Sequence, residues 1–186
     1  MSRVDVRERQ RPLRERYAED PGAAQNLIRV TSAPSDLSDP LHCAITPEVA
    51  PDVVWRSGAH EAVGGAGDVP CSADLLLGAL AACQEVTLRM VAANMGVELE
   101  SLTVTAEADW DARGTLAMGG DAPVGLKAVR CHTEVVVKDD GKGDRSERLL
   151  RSAERYCVVL STLRSGVPVD ATFELSTMSE PSRGER

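Results

Sequence analysis

The sequence predicts an α+β domain with mainly antiparallel sheets and two core helices. The chain has 186 residues, of which 42% are hydrophobic and only five are aromatic, so one domain with an aliphatic core is expected. Apolar residues alternate with polar ones in some segments, as in strands, and recur at helical spacing in others. These segments follow the order short strands, helix, strand pair, helix, strand. This order favours antiparallel pairing over repeated βαβ units.

Charge and cysteine content narrow the function classes. The 29 acidic side chains outnumber the 21 basic ones, giving a net charge of −8, and no stripe of Lys and Arg is present to bind nucleic-acid phosphates. The first residues are charged where a signal peptide would be apolar, and the five cysteines form no closely spaced pair, so we expect reduced thiols in the cytoplasm. Residues 75–95 have about the length of a membrane span, but Glu85 and Arg89 would place two charges in hydrocarbon. We therefore expect these residues to form a buried helix, and we expect no interaction of the protein with a membrane.

Three regions are expected along the chain: a charged N-terminal arm (1–25), a folded domain (26–176) and a flexible C-terminal tail (177–186). The arm holds six Arg against five Asp or Glu. Pro12 and Pro21 are expected to interrupt any helix there, because proline removes a backbone donor and clashes with the preceding turn.

Residues 73–95 carry the strongest helix signal. Ser72 is expected to cap the start, Asp74 favours the positive end of the helix dipole, and Asn94 and Gly96 provide a stop. Apolar side chains surround the axis almost completely, so the helix must be covered on most sides. One chain of this length hardly supplies that cover, and a homodimer is therefore expected.

The other elements follow from the same periodicities. Short apolar pieces between residues 27 and 55, separated by Pro and Asp, predict a small sheet. Residues 102–110 and 129–137 alternate apolar and polar side chains, which predicts a pair of half-buried strands. Apolar residues at helical spacing from 149 to 163 predict a second, amphipathic helix, and residues 167–175 predict a final strand.

Cys83 and Cys157 lie on the apolar faces of the two predicted helices. Packing helix on helix would bring their sulfur atoms together, although the spacing in sequence leaves this open. The alternative for each is a structural role, because a buried cysteine commonly acts as a small hydrophobe. Cys131, Cys71 and Cys43 are interpreted as core, helix-cap and strand residues.

A buried thiol ionises only where a cation or a hydrogen-bond donor offsets its desolvation. Arg113, just beyond a predicted strand, is the candidate cation, with Asp111 as its orienting partner. A solvated charge in a loop is the alternative for Arg113, and Arg56 and Arg89 are further candidates.

No metal ion or bound cofactor is expected. His42, His60 and His132 are scattered, and neither Cys-x-x-Cys nor His-Glu-x-x-His occurs. The glycines at 64–67 lack the strand and helix start of a phosphate-binding loop and indicate a flexible segment.

Two segments resemble the OsmC/Ohr family. The stretch Pro70–Cys83 (PCSADLLLGALAAC), followed by Thr87–Met90, is similar to the central helix of that family. Cys157–Leu163 (CVVLSTL) is similar to its later Cys-x-Val-x-x-Thr-Leu segment. The two motifs occur in the family's order, with a predicted strand pair between them.

The resemblance implies an OsmC-like α+β fold formed as an intertwined homodimer, with two cysteines per site near the subunit boundary. It also implies thiol-dependent reduction of organic hydroperoxides. Cys83 would then be the peroxidatic thiol and Cys157 the resolving thiol, and an external dithiol would restore the pair.

The chain also departs from the family pattern. Peroxidase members use an Arg from an early loop and a Glu near the start of the central helix, where this chain has Ala73 and Asp74. The charged arm and the segment around Arg113 indicate a less-studied branch. The alternative function is a non-catalytic module that binds a small hydrophobic ligand in the dimer pocket. A cysteine acyl-transfer enzyme is disfavoured, because no His pairs recognisably with Cys83.

Overall fold

A computed structural model describes residues 4–138 and 143–176. The elements combine helices with short and long strands, and the predicted short strands, long helix and strand pair occur in that order. In chain order they are α1 (Val6–Glu19), a 3-10 turn (Pro21–Ala24), β1 (Val30–Ser32), β2 (His42–Pro47), β3 (Trp55–Gly58), a second 3-10 turn (Glu61–Val63), α2 (Ser72–Met95), β4 (Leu99–Asp109), α3 (Ala112–Thr115), β5 (Ala128–Val137), α4 (Gly143–Tyr156) and α5 (Val158–Ser165).

Two antiparallel sheets confirm the predicted α+β class. The first has the order β1-β2-β3, with Thr31 opposite Thr46 and Cys43 opposite Ser57. The second is the long β4-β5 pair, and one of its faces packs on α2. Alternate residues of β4 and β5 are half-buried on that face, as the period-two pattern predicts.

Local hydrogen bonds fix both ends of α2. The helix is capped by Cys71, one residue before the expected cap, because the Asp74 carboxylate accepts from the Cys71 backbone N–H at 2.8 Å. At the other end Gly96 takes a left-handed φ of 68° and its N–H bonds the last carbonyls of the helix, a conformation that glycine adopts without a Cβ clash.

The core lies where α2 meets α4 and the second sheet. Its buried cluster is Leu88, Ala92, Val97, Leu149 and Ala153. Elsewhere α2 is not covered as predicted: four of its residues are buried, and Val86 on another face is 52% exposed. The helix is long and apolar enough to cross a membrane by length and composition, but its contacts are with β4, α4 and α5.

The prediction of one continuous second helix is wrong, because the structure has two helices there, α4 and α5. The chain leaves the helical conformation at Cys157 (φ −73°, ψ 107°) and starts α5 at the next residue. Cys157 and the β-branched pair Val158 and Val159 have lower helix propensity than the Leu- and Arg-rich segment before them. The break turns the start of α5 toward α2 and exposes a fresh set of backbone N–H donors.

The predicted final strand is absent from the described chain. Residues 167–176 adopt no regular structure, and Phe173 and Leu175 are each 93% exposed. A strand needs a neighbouring edge to satisfy its backbone groups, and this segment pairs with no strand within 4–138 and 143–176.

The N-terminal arm is more helical than its prolines predict. Helix α1 runs through Pro12 without interruption. Its first turns are held to the end of α2, where Arg7 donates to the Asn94 carbonyl and Asn94 Nδ2 donates to Gln10 Oε1 at 3.3 Å. The predicted tail at 177–186 lies outside the described residues.

Candidate active site

Two thiols meet where α2 faces the start of α5. Cys83 lies in the middle of α2 and is half-buried, whereas Cys157 is the N-cap of α5 and is 0% exposed. The side chains of Cys83 and Cys157 hydrogen-bond to each other. The helix break at Cys157 is what allows this contact, because it directs the first turn of α5 at the face of α2 that carries Cys83.

Hydrogen-bond donors around Cys83 lower the pKa of its thiol. Burial by itself would raise the pKa of this thiol, but hydrogen bonds from the Val159 N–H, the Cys157 thiol, the Val158 N–H and the Thr87 hydroxyl lower it below its ordinary value. The Val158 and Val159 N–H groups belong to the first turn of α5, where no intrahelical carbonyl is available to them. A thiolate at a helix N-terminus also interacts favourably with the helix dipole.

Cys157 has the opposite tendency. Burial raises its pKa, and the neighbouring Cys83 and Cys131 add to the rise, although the Leu160 N–H opposes it. The S–H of Cys157 is thus the donor in the hydrogen bond between the two sulfur atoms. The pair thus contains one half-exposed sulfur whose pKa is lowered and one buried sulfur whose pKa is raised.

The guanidinium predicted to activate the thiol is bonded to a carboxylate in this chain. Arg113, in the short helix α3, bonds both carboxylate oxygens of Asp111, with Nε–Oδ1 at 2.9 Å and Nη2–Oδ2 at 2.5 Å. This interaction lowers the pKa of Asp111 to about 2. The Arg113 side chain is 65% exposed, and no hydrogen bond or ion pair joins it to either thiol within the part of the chain that the structure describes.

The two other candidate cations have contacts away from the thiols. Arg89 pairs with Glu85 one helical turn away at 3.1 Å and is exposed. Arg56 is an exposed residue of β3 that lines a groove with His42 and Asp68. The four donors that do reach Cys83 are two backbone amides, a thiol and a hydroxyl, all of which a search for charged side chains misses. The sequence signal for the backbone donors is a cysteine directly before the first turn of a helix.

The histidines form no metal centre in the described residues. His42 is held by two carboxylates, Asp39 at 2.8 Å and Asp68 at 3.0 Å, and the hydrogen bonds to Asp68 and Asp39 raise its pKa. His60 packs edge-on against Trp110, with ring centroids 5.5 Å apart. Across residues 4–138 and 143–176, no three His, Cys, Asp or Glu side chains are grouped to hold a metal ion.

The remaining cysteines occupy three different settings. Cys71 is buried at the cap of α2, Cys43 is exposed on β2, and Cys131 faces inward from β5 with a pKa raised by burial. Their positions are those of cap, strand and core residues.

Comparison with known proteins gives a family match and a set of similar folds. The family model described as "OsmC-like protein" matches residues 65–172. An OsmC-like protein from Mycoplasma pneumoniae aligns with a TM-score of 0.59 and 14% identity, covering 76% of this chain and 90% of that one. An organic hydroperoxide resistance protein from Legionella pneumophila aligns at 0.56 with 18% identity, covering 76% and 92%. Another from Elizabethkingia anophelis aligns at 0.56 with 16% identity, covering 77% and 91%. No curated protein matches the sequence.

Proposed function

Because the chain belongs to the OsmC family, we propose that it is a thiol-dependent peroxidase that reduces organic hydroperoxides with Cys83 and Cys157. The observation that carries this proposal is the contact between two thiols whose pKa values are shifted in opposite directions. The similar structures named as organic hydroperoxide resistance proteins support the choice of substrate class.

The proposed reaction uses each sulfur once. The Cys83 thiolate attacks the terminal oxygen of the hydroperoxide and the O–O bond breaks, so that Cys83 becomes a sulfenic acid and the departing alkoxide takes a proton from water to leave as the alcohol. Cys157 then attacks the Cys83 sulfur, forming a disulfide and releasing water. An external dithiol reduces the disulfide and is itself oxidised. Reduced thiols of this kind are consistent with a cytoplasmic location.

The direction of the pKa shifts suits these roles. A peroxidatic sulfur must be ionised and reachable, and Cys83 is the half-exposed thiol with the lowered pKa. A resolving sulfur needs contact with its partner more than access to solvent, and Cys157 is fully buried beside Cys83. In this proposal the N-terminus of α5, rather than Arg113, lowers the pKa of Cys83.

The proposal is tested by adding one equivalent of cumene hydroperoxide to the reduced protein and mapping disulfides by peptide mass spectrometry. We expect a Cys83–Cys157 link within a single turnover, and the same link in the Cys131→Ser control. A protein that consumes no peroxide, or that links other cysteines instead, contradicts the proposal.

A homodimer is part of the proposal, as the resemblance implies. It is supported by two apolar features that one chain leaves uncovered: the face of α2 around Val86, and the segment 167–175 with Phe173 and Leu175 exposed. The alternating apolar pattern of that segment fits a strand added to a sheet of the partner subunit. Equilibrium sedimentation is expected to give twice the chain mass of 19.8 kDa, and a stable monomer at micromolar concentration would reject the dimer.

The second candidate function is a non-catalytic module that binds a small hydrophobic ligand in the dimer pocket. It is favoured by Ala73 and Asp74 at the start of α2, where peroxidase members have a Glu. The two candidates differ in one readout, because a binding module forms no Cys83–Cys157 link with peroxide.

A further inference from the structure

A separate cavity lies beside another face of α2, between this helix, β5, α4 and α5. Its volume is about 520 Å³, within the range of roughly 300–1,000 Å³ typical of small-molecule sites. Neither Cys83 nor Cys157 lines it. Polar and aliphatic surface share the wall about equally, and all three helices contribute leucines to its aliphatic part: Leu80, Leu88, Leu150, Leu160 and Leu163.

One polar side chain in the wall of this cavity lacks a partner. Gln84 is only 7% exposed, and its amide oxygen is buried without a hydrogen-bond partner in the described part of the chain. Buried amides are nearly always satisfied, because an unpaired one loses its hydration without compensation. Turning the amide about its last torsion presents either the oxygen or the nitrogen to the cavity, so a ligand group that both donates and accepts suits it.

The charged groups around the cavity already neutralise one another. Arg164 pairs with Glu154 at 2.7 Å. Lys127 lies near the carboxylates of Asp109 and Asp111, whose pKa values its charge helps to lower. With these cations balanced, the site offers an anionic ligand little attraction, and a neutral ligand is favoured.

We propose that this cavity binds a neutral aliphatic alcohol, with the hydroxyl on the Gln84 amide and the carbon chain among the leucines. A hydroxyl is the smallest neutral group that both donates and accepts a hydrogen bond. The inference does not rest on the proposed peroxidase activity, because the binding needs no thiol.

The test is a calorimetric titration of the full-length protein with 1-octanol. We expect saturable binding by the wild type and binding weaker by about tenfold in Gln84→Leu, which follows from the loss of one buried hydrogen bond. Asn94→Leu is the matched control. Asn94 also has a buried, unpartnered amide oxygen on α2, but it lies outside the cavity, so wild-type binding is expected. Octanoate is expected to bind at least about tenfold more weakly than 1-octanol, because its carboxylate must be desolvated without a free cation.

Access to Cys131 gives a second readout, since this thiol lines the same cavity. Bound 1-octanol is expected to slow alkylation of Cys131 by iodoacetamide in the wild type and in Asn94→Leu, as read from the mass of the Cys131 peptide. Circular dichroism establishes that Gln84→Leu is folded, which we expect because leucine removes an unpaired amide. Unsaturable binding of 1-octanol, equal binding by folded Gln84→Leu, or tighter binding of octanoate would overturn the assignment.

Discussion

Replacing Cys83 by serine is expected to lower the rate of cumene hydroperoxide consumption by about a thousandfold or more. Serine is nearly isosteric and can accept the hydrogen bonds that the thiol receives from α5, so the fold should be retained. The hydroxyl, however, stays protonated at neutral pH and is a poor nucleophile toward peroxide. The measurement is peroxide remaining with time in the presence of excess dithiothreitol.

Cys43→Ser is the matched control for this substitution. It also exchanges one thiol for a hydroxyl, but at an exposed position on β2 that is remote in the fold from α5. The control is expected to keep the wild-type rate. If Cys83→Ser turned over peroxide as fast as Cys43→Ser, Cys83 would not be the nucleophile, and the proposed reaction would be wrong even if a disulfide could be trapped.

Most of the fold is predictable because its elements carry local signals. The period of two in 102–110 and 129–137 sets which side chains of β4 and β5 face α2, and the cap and stop residues bound α2 to within a residue. The sequence analysis is wrong about the continuous second helix and about the final strand, and both errors have one physical origin. The conformation of each of these segments depends on what it packs against. The break at Cys157 separates two amphipathic helices whose spacing alone reads as continuous, and 167–175 has a strand pattern but pairs with no strand among the described residues.

The sequence predicts which two sulfur atoms meet in the candidate site, but not which groups lower the pKa of Cys83. Apolar helix faces bearing Cys83 and Cys157 indicate which thiols can meet, because core helices pack through those faces. The choice of Arg113 follows from looking for a charged side chain, yet that guanidinium is held by Asp111 beside it in sequence. Two of the four donors to Cys83 are the amides of Val158 and Val159, and these two become available only through the helix break.

That dependence on backbone donors leads to a second large effect, in Val158→Pro. Val158 is the first residue of α5 and its N–H bonds Cys83. Proline is well tolerated at a first helical position, and the preceding Cys157, with φ −73° and ψ 107°, already has the extended backbone that a following proline requires. The substitution therefore deletes one hydrogen-bond donor to the thiolate while the helix remains. Val158→Ala, which keeps the N–H, is the matched control.

Loss of the Val158 donor is expected to raise the pKa of Cys83 by about one unit, since a hydrogen bond to a charged group contributes roughly 1.5–3 kcal/mol and one unit corresponds to about 1.36 kcal/mol. Only the thiolate reacts, so alkylation of Cys83 falls as pH drops below its pKa. Below both pKa values Val158→Pro should therefore react about tenfold more slowly than Val158→Ala, whereas well above them the two rates should converge. The measurement is the iodoacetamide rate of the Cys83 peptide against pH. Superimposed profiles would show that the start of α5 does not ionise this thiol, and a cation from elsewhere would then be required.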